Sequence, residues 1–171
     1  MSKSIVLLMA AVLSLVAVQS VYAQSGPEVG AVAVPLASRV DSGELAPDAE
    51  VALLTLVNQV RRQHRLPALV MDPTLRTAAR SHSREIAKRG FVGHGSLTGG
   101  SFGERIAAFV GPGTFAGENV TLARSAEQAH SAFLASHSHL RNILEPKFRR
   151  VGIGIVNGGE SGLFVTQDFA D

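Results

Sequence analysis

No cysteine occurs anywhere in this chain of 171 residues. That absence narrows the possible folds more than any motif does. It excludes disulfide scaffolds, thiolate zinc sites, cysteine nucleophiles and a thioether lipid anchor. The constraint tightens at the N-terminus. Lys3 is the lone charge there, an apolar run extends from Ile5 to Leu13, and Val21-Tyr22-Ala23 sets small residues where a signal peptidase reads. Residues 1–23 are therefore expected to be a secretory signal peptide cleaved before Gln24. The run falls short of the ~20 apolar residues that span a bilayer, so no transmembrane anchor is expected after cleavage. A protein exported to the periplasm or the extracellular space without disulfides must be held by packing alone.

Residues 24–47 are rich in Gly, Pro, Ser and Ala and are expected to form a linker or loosely packed arm, with a weak edge-strand alternation over Val29–Val40. Dense periodicity then runs from residue 48 to 171, the expected domain. Asp48 is placed to cap a first helix reaching about Arg65, with Leu53, Leu54, Val57 and Val60 on its inner face and Leu66-Pro67 ending it. The second helix is punctuated at both ends, by Asp72-Pro73 and by Gly90, and turns Leu75, Ala79, His82 and Ile86 inward. Ser101-x-x-Glu104 and Ser125-x-x-Gln128 are capping-box patterns opening two shorter helices, the latter carrying Ala129, Ala132, Phe133 and Ser136. Val151–Val156 and Leu163–Asp168 flank a Gly-rich turn and predict a hairpin, with Phe115–Leu122 as a third strand. Helices outnumber strands and the adjacent strands are antiparallel, which predicts an α+β fold with helices covering a small sheet.

Sixteen Lys and Arg against fourteen Asp and Glu leave a formal charge of +2 without a polybasic tract, which argues against nucleic-acid binding. Arg61-Arg62-Gln63-His64-Arg65 is expected to be a solvated helix end. The six histidines carry the chemical information. His94 sits between glycines, Glu118 interrupts a strand that should bury apolar groups, and His139 follows the fourth helix. Two imidazoles and a carboxylate could bind a divalent metal such as zinc, with His94 and His139 as ligands, or share acid–base chemistry. His82 is expected to be a satisfied core histidine, His64 to meet the negative end of a helix dipole, and His130 and His137 to point outward or line an opening. Asn119-Val120-Thr121 matches the N-glycosylation pattern. The metal-hydrolase motif H-E-x-x-H is absent from the sequence.

Taken in order, several segments resemble the bacterial branch of the CAP superfamily, the SCP-like domains. These are Asn58-x-x-Arg61, Leu69-x-x-Asp72-x-x-Leu75-x-x-x-Ala79, Phe91-Val-Gly-His94, Glu104-Arg105-Ile106, Gly117-Glu118-Asn119-Val120, Ser136-His-Ser-His139-Leu-Arg141-Asn142-Ile143-Leu144, Val151-Gly-Ile-Gly154 and Thr166-Gln167-Asp168-Phe169. The resemblance implies an α-β-α sandwich. It also implies a central cleft lined by His94, Glu118 and His139, to which Arg105, Asn119 and Ser136 of the matched segments are assigned as well. Many relatives carry a second Glu three residues after a Trp. Here Phe133 and Ser136 stand at those positions, so the paired carboxylates of that tetrad are incomplete. The reading that follows is a secreted or periplasmic domain whose cleft binds a small molecule, a lipid, an envelope ligand or a metal without catalysis. The alternatives are a metal-dependent hydrolase in which Glu118 activates water, and a structural envelope protein built around a buried His–Glu network.

Overall fold

The structure is a computed structural model and describes residues 32–33, 43–96 and 100–171. The expected signal peptide and most of the expected arm lie outside these residues. In chain order the elements are β1 Val32–Ala33, β2 Glu44–Leu45, α1 Pro47–Gln63, β3 Val70–Met71, α2 Pro73–Arg89, β4 Phe91–Val92, α3 Phe102–Val110, β5 Ala116–Ala123, α4 Ala126–Ala135, α5 His137–Ile143, β6 Arg150–Asn157 and β7 Leu163–Ala170. The three strands expected from the sequence form the sheet, with β7 central and antiparallel to both β6 and β5. The far edge of β6 takes up two short strands, β2 antiparallel and β3 parallel. The segment expected to be an arm is thus built into the domain from Glu44 onward. Within Val29–Val40, Val32–Ala33 pairs with β4 in a separate two-stranded ribbon; the rest of that stretch lies outside the described residues.

Helix punctuation follows the sequence with local departures. Asp72 accepts from the backbone N–H of Thr74 and Leu75, and Gly90 closes α2 in the left-handed region that glycine adopts without penalty. Ser101 and Glu104 complete a capping box on α3. On α4 Ser125 caps Gln128, but the Gln128 side chain accepts from Arg124 rather than Ser125. Asp48 is not the cap of α1. Ala46 holds that position and Pro47 opens the helix, leaving Asp48 in the first turn where its charge suits the dipole. The helix stops at Gln63, before Leu66-Pro67, as Arg65 turns to φ 58°. Of the residues carried by α4, Ala129 and Phe133 are buried and Ala132 is exposed.

Strand alternation splits the core into two layers. Val151, Ile153, Ile155, Val165 and Phe169 point to one face and pack with Leu53 and Val57 of α1, Phe133 of α4 and Ile143 of α5. The opposite face carries α2 and α3, with Leu75, Ala78, Ile106 and Ala170 in one cluster and Ile86, Val156 and Phe164 in another. This is the expected α-β-α sandwich. On the second face α2 lies directly on β6: a Cβ at Gly152 would stand 2.0 Å from the Leu75 carbonyl carbon, and one at Gly154 2.3 Å from that of Ala79.

Two buried charges brace the layers. Glu50 of α1 takes Arg76 Nε at 2.7 Å and Arg80 Nε at 2.8 Å, and also accepts from the Ile155 backbone N–H at 3.2 Å, in the gap between β2 and β3. Arg61 corrects the expectation of a solvated helix end, because it is fully buried. Its guanidinium donates to the carbonyls of Pro67, Ile143, Glu145 and Phe148. The fork geometry of arginine suits several carbonyls at once, which a lysine ammonium cannot match. Arg61→Lys is expected to lower stability by about 2–4 kcal/mol, since buried carbonyls lose donors, whereas Arg62→Lys, on an exposed neighbour, should change it little. Gly154→Ala should cost about 3 kcal/mol or more through overpacking against α2. Urea midpoints at constant m-value check all three; an unchanged midpoint for Gly154→Ala would contradict the close approach.

Candidate functional site at the β5 edge

The strand β5 ends the sheet on one side, and its alternation sends the two polar residues of Gly117-Glu118-Asn119-Val120 to opposite layers. Glu118 points toward α2 and α3. Its side chain is 1% exposed, His94 Nδ1 approaches Oε1 at 2.8 Å, and Arg105 Nη2 pairs with Oε2. Arg105, from α3, also donates through Nη1 to the His94 carbonyl at 3.1 Å, so one guanidinium fixes both the carboxylate and the loop carrying the imidazole. Burial alone would raise the Glu118 pKa. The hydrogen bond from His94 and the facing positive charge of Arg105 outweigh it and hold the carboxyl below its usual range. Ionised Glu118 accepts the proton on His94 Nδ1 and thereby sets the tautomer of a ring that stays 47% exposed.

Asn119 turns to the other layer and is fully buried. Its amide nitrogen donates to the His139 carbonyl at 3.2 Å and to Gln167 Oε1 at 3.0 Å, while its oxygen accepts from Asn142 Nδ2 at 2.9 Å. Asn142 also donates to the Glu118 carbonyl at 3.0 Å. Asn119 is therefore a strut that ties α5 to the sheet rather than a lining residue, and as a buried side chain it is closed to glycosylation. His139 lies on α5, a helix separate from α4, with Ser136 at the joint. Its ring meets Phe133 edge-on, with centroids 5.3 Å apart. Burial lowers the His139 pKa, and His94 lowers it further. Ser136 Oγ is hydrogen-bonded to Ser138 Oγ at 3.1 Å.

Other residues depart from expectation. His82 is not only a core histidine: its Nε2 donates to the Gly93 carbonyl at 2.9 Å and stands 3.8 Å from Glu118 Oε2. Burial lowers its pKa, which keeps it neutral beside the carboxylate. His130 is buried rather than outward, and burial lowers its pKa too; His137 and His64 are exposed. Asp168, matched only as part of a segment, sits opposite Glu118 in the β5–β7 register and is fully buried. A carboxylate at an inward strand position was the signal that could have found it. Both Glu118 oxygens are engaged, and among the described residues no three His, Asp or Glu side chains gather to hold a metal ion.

The model of the CAP family, described as the cysteine-rich secretory protein family, matches residues 54–169. The chain belongs to this family. The Bacillus subtilis protein YkwD is 33% identical over 121 residues, a stretch covering 70% of this chain and 46% of YkwD, so the chain spans a little under half of that relative. Among solved structures, an extracellular SCP-domain protein of Bacillus anthracis is 29% identical with a TM-score of 0.64, over 75% of this chain and 45% of the other. An outer surface protein of Borrelia burgdorferi, 16% identical, shares the fold with a TM-score of 0.69 over 76% of this chain and 98% of its own. This CAP domain does without cysteine altogether.

Glu118→Gln tests the electrostatics. A carboxyl whose folded pKa lies below its unfolded value contributes stability above the unfolded pKa, and that stability is lost as pH falls. The variant should be less stable at pH 7 by about 3 kcal/mol, because Arg105 loses its buried partner, and its acid-side decline should be shallower. Urea titrations across the acid range check both.

Proposed function

We propose that this chain is an exported CAP-domain protein, periplasmic or extracellular, that holds a ligand in a cleft at the β5 edge between His94 and His139 without turning it over. Residues 1–23 serve as its signal peptide. The observation that carries the reading is the state of Glu118. A hydrolase of the expected kind needs that carboxylate to reach a water, yet Glu118 is sealed from solvent with both oxygens engaged by His94 and Arg105. What faces outward instead is half of the His94 ring, with the hydroxyls of Ser136 and Ser138 across the edge, both partly exposed. Such a surface suits the polar headgroup of a small molecule, lipid or envelope component. Fold membership alone supports no activity, since one fold hosts many. Export is supported by the extracellular description of the Bacillus anthracis relative, and among the described residues no helix is long and apolar enough to cross a membrane.

The structural reading draws on a separate observation, the nearly complete hydrogen bonding of Asn119, Asn142 and Glu118. Native mass spectrometry of the exported protein separates the two. Wild type should retain a small molecule or lipid that His94→Ala and His139→Ala release. Ligand-free wild type, with no binding to extracted envelope lipids, would favour the structural reading. Hydrolysis abolished by Glu118→Gln would replace both. Zinc should leave the melting temperature unchanged; a rise that His94→Ala removes would restore the metal reading.

A further inference from the structure

Glu118 and Asp168 are directly paired across β5 and β7, so their side chains project from the same face of the sheet. Asp168 is wholly buried, and both its oxygens lack any N–H or O–H donor among the described residues. Its other cross-strand neighbour is Gly152, which has no side chain to offer. The charged and titratable groups around it are few. From β5 comes Glu118, whose carboxylate already accepts from His94 and Arg105. Arg105 comes from α3; its Nη1 and Nη2 go to the His94 carbonyl and to Glu118, and its buried Nε–H makes no hydrogen bond to Asp168 or to any other described group. From α2 come His82, which gives its Nε2 proton to Gly93, and beyond it Glu85. An ionised Asp168 would therefore be a second buried negative charge with one arginine shared between two carboxylates and no hydrogen bond of its own, an arrangement that burial strongly disfavours.

We propose that Asp168 is a second carboxyl of the site, standing as a neutral acid that donates its O–H to Glu118, so that the pair holds one proton and one negative charge. Ser136, at the joint of α4 and α5, carries no carboxyl; Asp168 supplies one from the sheet instead. With this donor Glu118 is held from three sides and its single charge is matched by Arg105. The pair fixes the orientation of His94, which makes Asp168 a positioning residue. Burial and the neighbouring Glu118 charge both push the Asp168 pKa well above the usual carboxyl range, in line with the geometry. The inference stands whether or not the edge takes a ligand.

Infrared spectroscopy of the folded full chain at pH 7 reads the proton directly. The expected result is a carboxylic-acid C=O band that moves on 13C-aspartate labelling, stays on 13C-glutamate labelling and disappears in Asp168→Asn. A second readout follows from linkage. A carboxyl whose folded pKa is raised contributes stability below its unfolded pKa and loses it as pH rises. The melting temperature of Asp168→Asn, whose amide can still donate to Glu118, should therefore gain on wild type as pH increases above about 4. Absence of the acid band in wild type, or a band that moves with glutamate labelling, would overturn the proposal. The labelling experiment needs no variant, so it decides the matter even if Asp168→Asn fails to fold.

Discussion

The close approach of α2 to β6 sets the geometry on which the rest of this domain depends. Gly152 and Gly154 are two residues apart on one face of the strand, and Leu75 and Ala79 are four apart on the helix. Two strand residues advance roughly 6.8 Å and four helical residues roughly 6 Å, so the two glycines admit successive turns of one helix running along the strand. Any side chain at either position would lift the helix. Seated there, α2 brings Ser83 to the Gly154 carbonyl at 2.8 Å and to Thr166 at 2.9 Å. Three residues beyond Ala79, the same helix presents His82 to Glu118. The site at the β5 edge thus inherits its position from a contact on β6, two strands away.

Buried charge is the second organising element, and it takes a particular form here. Glu50, Arg61 and Glu118 each join pieces of chain far apart in sequence: α1 with α2 and β6, α1 with the segment before β6, and β5 with α3 and the loop after β4. Replacing such groups with well-packed apolar side chains is often neutral or stabilising, so they are not to be counted as net stability. Their directional demands do something else. A guanidinium that must meet four carbonyls admits few arrangements of α1 against the Ile143–Phe148 segment. In a domain without disulfides, these contacts restrict how the layers can be assembled while the apolar clusters supply the driving force.

Much of this was legible in the residues because local rules and tertiary structure agree. Asp72-Pro73 and Gly90 bound α2, and Ser101-x-x-Glu104 opens α3. The apolar alternation of Val151–Val156 and Leu163–Asp168 forms the hairpin. His94 and Glu118 stood out as polar residues in apolar or glycine-flanked settings and proved to be partners. What escaped depended on contacts between distant segments. β2, β3 and β4 are two residues long and exist only because a longer partner or ribbon pairs with them. Arg61 looks like any other basic residue in the last turn of a helix until the Ile143–Phe148 segment folds over it. Asp168 stands at an inward strand position, an unusual place for a carboxylate, but its meaning comes from the strand register that sets it opposite Glu118. His82 was placed correctly on the inner face, but spacing along one helix says nothing of what lies across from it.

The same pleat that conceals such pairings explains why the Gly117-Glu118-Asn119-Val120 stretch can serve both helix layers. In a strand, neighbouring residues point to opposite faces. Glu118 therefore binds the α3 side and its loop, while Asn119 binds α5 and holds the backbone from which His139 projects. Neither role could pass to the other residue without exchanging layers, and a one-residue slip of β5 against β7 would put a carboxylate among Phe133, Phe148 and Phe169. The register that pairs Glu118 with Asp168 is thus enforced from both sides, by an amide network below the sheet and by Arg105 and His94 above it. Placing the two imidazoles at one edge needs no contact between them. It needs only that the strand between them be locked, and the two adjacent polar residues do that by facing opposite ways.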